Sequence, residues 1–145
     1  MQPEDYAFEN LAKEIVLQKL KGKDDAEASA GAVALEIAVP AVTSTRTRQD
    51  PRATVSATCR GVMQGMMILE KDLAKTAVSL LGQIAVMAQE ANLDSAECMT
   101  WAMEGMASVC RMASSDVRMA VSAAIADNFM GAGEVFNKLL EAPGG

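Results

Sequence analysis

The chain has 145 residues, half of them apolar, with a formal net charge of -6 and no histidine. It carries 26 alanines and 11 methionines but five aromatics, a composition that favours helices and argues against a β-sandwich or barrel. Histidine-based metal sites, Ser-His-Asp triads and histidine general bases are excluded outright. The negative charge disfavours non-specific attraction to nucleic acid or anionic membrane.

The first helix is expected from about Pro3 to Lys21. Proline suits a first turn, and Glu4 and Asp5 suit the positive end of the helix dipole. Phe8, Leu11, Ala12 and Ile15 form its apolar stripe. Gly22 ends it, and a second helix starts near Asp24 or Asp25. Ala26, Ala30, Ala34 and Ala38 then recur every four residues. That ladder is a strip with almost no side chain, on which another helix can come close. Pro40 should kink or end this helix, and the polar run from Thr43 to Asp50 reads as a loop or a frayed helical end.

Asp50-Pro51 is a cap followed by proline at the first helical position. From there the pattern stays helical to about Ala91. Arg60, Gln64, Lys71, Lys75, Gly82 and Gln89 hold one narrow polar face. A helix so apolar around its remaining circumference must be covered on several sides. Ala91-Asn92-Leu93 is a turn, and Asp94 to Glu97 resembles a capping box. The next polar phase, Glu97 to Ser122, runs on without a slip, so Ser114-Ser115-Asp116 is read as lying inside one helix. Gly131 and Gly133 end or bend it. A short helix from Glu134 to Glu141 and a flexible tail, 143–145, complete the chain.

The expected fold is all-α: an antiparallel helical bundle on a long central hairpin (about 51–91 and 95–130), with two N-terminal helices packed against it. Residues 1–142 form a single domain on this reading. Helices of about 35 to 40 residues would be about 55 to 60 Å long, which exceeds a compact chain of this size. They must kink at Gly61/Gly65 and Gly131/Gly133, or the missing core comes from a partner. A homodimer is the simplest partner. With the turn centred on Leu93, Gly105 falls level with Gly82 or Leu81, Trp101 with Ala85, Gly65 with Val121 or Ser122, and Gly61 with Ile125 or Ala124.

Three constellations invite a chemical reading. Arg46, Arg48, Arg52 and Arg60 gather near one helix start, where a phosphate, a carboxylate or an acidic segment could bind. The plainer reading pairs them with carboxylates of a neighbouring helix. Met63-Gln-Gly-Met66 and Met103-Glu-Gly-Met106 are near copies 40 residues apart. They fit a sulfur-lined partner groove, or more simply core packing with glycine at a helix crossing. Gly61-x-x-x-Gly65 reads as a soluble helix–helix contact, and Trp101 as a core anchor. Contact residues are therefore sought among the alanine ladder, Gly61, Gly65, Gly82, Gly105, Trp101, Met63, Met66, Met103 and Met106.

The remaining groups offer less. Glu36, Glu97, Glu104 and Asp127 lack the histidines that a di-iron carboxylate site uses. Cys59, Cys98 and Cys110 show no CxxC spacing and read as reduced, buried thiols. Arg60 beside Cys59 would lower that thiol's pKa if the two were close. No metal or cofactor is expected. The acidic N-terminus offers no signal peptide and no apolar stretch reaches transmembrane length, so a cytoplasmic location is expected. The functional expectation is a non-enzymatic helical protein acting by self-association or by binding another protein. The alternative is a helical module for a small molecule, lipid or anion.

Overall fold

A computed structural model describes residues 3–43 and 50–141, with side chains from residue 7 onward. These residues form seven helices and no strand: α1 (Pro3–Lys19), α2 (Ala26–Thr43), α3 (Pro51–Ile68), α4 (Leu73–Glu90), α5 (Ser95–Cys110), α6 (Ser115–Asn128) and α7 (Ala132–Glu141). The all-α bundle expected from composition is present. Each helix packs chiefly on its second neighbour in sequence, α1 on α3, α3 on α5 and α5 on α7. The other row stacks α2 on α4 and α4 on α6. The molecule is thus two rows of helices joined by hairpins. α3 is central, and every residue from Thr54 to Cys59 is buried.

Helix starts follow the sequence signals. Asp50 accepts from Arg52 N at 3.3 Å, Asp72 from Lys75 N at 3.1 Å, Asp94 from Glu97 N at 3.0 Å and Ser114 from Val117 N at 3.2 Å. Each side chain satisfies a backbone donor that the helix itself cannot.

Both expected long helices are broken within their length, and neither of these breaks falls at the suggested glycines, although Gly131, at φ +80°, does sit in the turn that ends the second. The first break is at Leu69–Asp72, where Glu70 has φ +59°. Lys71 N donates to Met66 O and Glu70 N to Met67 O, the bonding of a helix stop that glycine usually makes. Asn92 (φ +58°) repeats it, with Leu93 N on Ala88 O. Glutamate in that role gives no glycine signal, and Asp72 was hidden inside an unbroken apolar period. The second break is at Arg111–Ser114, where Met112 N and Ala113 N bond three residues back. Ser114 is therefore a cap and not a helix-interior residue. Breaking the two segments converts a long hairpin into stacked short ones, which supplies the missing core from within the chain.

The expected register of the glycines changes accordingly. Gly105 lies against the Ser56 carbonyl of α3, Gly61 against Glu9 and Ala12 of α1, and Gly65 against Val16 of α1. A side chain at any of the three would collide with the helix before it in the row. Gly82 meets nothing, and a methyl there would stand in open space. α2 is long and apolar enough to cross a membrane by length and composition. Its alanine ladder, Ala26, Ala30, Ala34 and Ala38, is completely buried.

Candidate functional site

The arginine-rich start of α3 is only partly within the described residues, because Arg46 and Arg48 lie outside them. Arg52 and Arg60 are two turns apart on α3, about 12 Å along its axis. Arg52 pairs with Glu104 of α5 at 3.0 Å. Arg60 donates to Glu9 of α1 at 3.2 Å, to Ser108 of α5 at 3.0 Å and to Ser56 at 3.3 Å. Glu9 is buried and Arg60 partly buried, which makes this a clamp across α1, α3 and α5. Buried charges persist only when paired and hydrogen-bonded. The structure does not bring these two cations together around an anion.

The thiols are equally committed to the interior. Cys59, Cys98 and Cys110 are free and buried. Burial pushes Cys59 up to about 12, although Arg60 beside it opposes the shift. The expected lowering by Arg60 is thus outweighed by desolvation. Burial also raises Cys110 to about 11. Cys98 is raised by burial and by Asp94 and Glu97. A thiol held protonated is a poor nucleophile and metal ligand. Among the described residues no group of three or more cysteine or acidic side chains is placed to hold a metal ion.

The two methionine motifs occupy equivalent places. One is on α3 and the other on α5, adjacent members of the same row. In each, the glycine receives the preceding helix of that row, Gly65 receiving α1 and Gly105 receiving α3. Met63, Met66, Met103 and Met106 are buried beside them and fill the core. They line neither the open groove between α2 and α4 nor that between α6 and α7. Trp101 is half-buried and packed against this core. Gly31 of α2 gives the other row a similar crossing, and its N–H donates to Ser79 Oγ at 3.0 Å. Glu36 sits at the edge with Lys19 at 3.7 Å. Glu27 accepts from Asp72 N at 2.9 Å, and that bond holds its carboxyl below the usual range.

Among the described residues, open grooves include one of about 410 Å³ between α2 and α4, lined by Glu27, Lys75 and Gly82, and a larger one of about 520 Å³ between α6 and α7. Ser115, Ser122, Ala123 and Ala126 of α6 line it with Met119, and Asn137 and Leu140 close it from α7. Ser122 Oγ donates to Asn137 at 2.6 Å across the two helices. Met119 is 69% exposed, and Met112 and Met130 at the two ends of α6 are exposed as well. Sequence reasoning did not find this groove, because it treated α6 as the far half of a core helix. The signal was available in Ser114, a capping residue followed by Asp116 in the first turn.

In comparison with known proteins, the chain matches no family model, and no curated protein and no solved structure matches it.

Proposed function

We propose that this chain is a non-enzymatic helical module that works by contact with protein surfaces, either a second copy or another chain. One observation carries the reading. Of its seven large exposed apolar side chains among the described residues, four lie on or beside α6 and α7, Met112, Met119, Met130 and Val135, including the three most exposed, while Leu11, Ile68 and Val86 stand singly on α1, α3 and α4. A cluster of that kind marks a contact surface more often than scattered exposed residues do. The chemistry-bearing groups elsewhere support the same reading. Arg60, Glu9 and the three thiols are spent on holding helices together.

The test is site-specific crosslinking in the cells that produce the protein. A photoreactive residue replaces Met119 in one variant and exposed Gln18 of α1 in another. The expected result is a discrete crosslinked species from position 119 and none from position 18. Absence of any species from position 119, with the folded protein present at normal abundance, overturns the proposal.

A further inference from the structure

The groove between α6 and α7 has a charge pattern as well as an apolar lining. At 100° per residue, Ser115, Ser122 and Ala126 share the α7 side of α6. Met119 and Ala123 come next around the helix, and Asp116 and Asp127 follow them. On α7, Asn137 and Leu140 face the groove, with Glu134 and Glu141 next around that helix. Each rim therefore carries two carboxylates, with exposed Lys138 one step farther around α7 from the groove. All four are exposed, and none makes an ion pair among the described residues. The cation inside the groove, Arg118, donates to the Ala113 carbonyl.

We propose that this groove docks a basic amphipathic helix from another protein, its apolar stripe on Met119 and Ala123 and its lysines or arginines against the two acidic rims. The proposal rests on the protein-contact reading above. A helix is the fitting shape because α6 offers 14 residues of straight wall, about 21 Å. Its serines and alanines allow close approach, as the alanine ladder of α2 does inside the fold. Methionine adapts to different apolar partners. Such grooves take apolar anchors at i, i+3, i+4 and i+7. Charge selects the class of helix, since the rims are acidic and the whole chain is at -6. It also disfavours a second copy. In an antiparallel two-fold pair of α6 helices the same flank meets itself, which sets Asp116 of each copy against Asp127 of the other.

The experiment titrates the full chain with a fluorescent peptide of about 18 residues, long enough to cover the α6 wall. The peptide has leucine on one helical face and lysine elsewhere. Controls are a same-composition scramble that breaks the face and a version with glutamate for lysine. The expected result is saturable binding of the first peptide, at least about tenfold tighter than either control and weakened by salt. Asp116→Lys with Asp127→Lys, and separately Ala123→Arg, should each weaken it by about tenfold or more. Both change exposed positions, and circular dichroism checks that they fold. Equal binding of the scramble, no binding, or binding indifferent to these variants overturns the proposal. A stable dimer that Ala123→Arg dissociates also overturns it, in favour of self-association. Failure here with position-119 crosslinks still present leaves the protein-contact reading standing, with a different occupant.

Discussion

The α1–α3–α5 row and the α6–α7 pair are built from the same residues and behave differently. Both use alanine, glycine, serine and methionine. In the row, Gly61, Gly65 and Gly105 each receive a helix, and Met63, Met66 and Met106 fill the space between. In the pair, Gly133 approaches Ala126 and Phe136 is fully buried, yet α6 buries only Val121 and Ile125 along its own length. The difference is coverage. α3 is contacted by α1, α2, α4 and α5, while α6 is contacted by α4 and α7. Small residues make a tight seam where a second helix arrives and an open groove where none does.

The largest effect expected from breaking this contrast is at Gly105. Gly105→Val sets a branched side chain on the Ser56 carbonyl, a backbone group that cannot move aside. A loss of about 3 kcal/mol or more is expected in urea denaturation, at the severe end of overpacking. A side chain added at Gly82, where nothing is near, should instead stabilise: Gly82→Ala gains about 0.5 to 1 kcal/mol by helix propensity. If both glycines behave alike, the row is not packed as described.

Next in size is the clamp. Arg60→Met leaves Glu9 buried without its partner and should cost about 3 kcal/mol. Adding Glu9→Gln should recover part of that loss, because the uncompensated charge is then removed. Equal destabilisation by the single and double variants would show that packing, not charge, is what Arg60 supplies.

Alkaline pH separates the same regions, since Cys59 and Cys110 lie on α3 and α5. Their folded pKa values, about 12 and about 11, stand above that of an unfolded thiol, about 8.5. The unfolded chain thus loses protons first as pH rises, and stability falls from about pH 8.5 upward toward the folded values. The melting temperature should drop through that window, and Cys59→Ala should flatten the drop. An unchanged slope in the variant would remove Cys59 from the account.

The smallest effects belong to the exposed end. Met119→Ser should change stability by less than about 0.5 kcal/mol, and amides of α6 and α7 should exchange faster than those of α3. Strong protection of α6 in the isolated chain would mean that its open face is already covered.

The starts of α3, α4, α5 and α6 are each written in one polar side chain, Asp50, Asp72, Asp94 and Ser114. Only two of these were legible, because Asp50 precedes a proline and Asp94 begins a capping box. Asp72 and Ser114 sat within an uninterrupted periodic pattern that overrode them. The candidate arginines were visible too, but their partners were not. Nothing in the order of residues links Arg60 to Glu9 and Ser108, which stand 51 and 48 positions away.

Composition and spacing determined that the chain is helical, that histidine chemistry is absent and that the alanine strip of α2 can take a close neighbour. These follow from properties each residue carries with it: propensity, titratable groups and size. Which helix meets which strip was decided only by the folded chain. Glu70 in a left-handed conformation and the turn at Arg111–Ser114 reverse the chain where the periodicity ran straight on. Those reversals stack alternate helices, bury the methionine motifs and leave one face of α6 uncovered. Periodicity records which face of a helix is apolar, and it holds no record of what lies against that face.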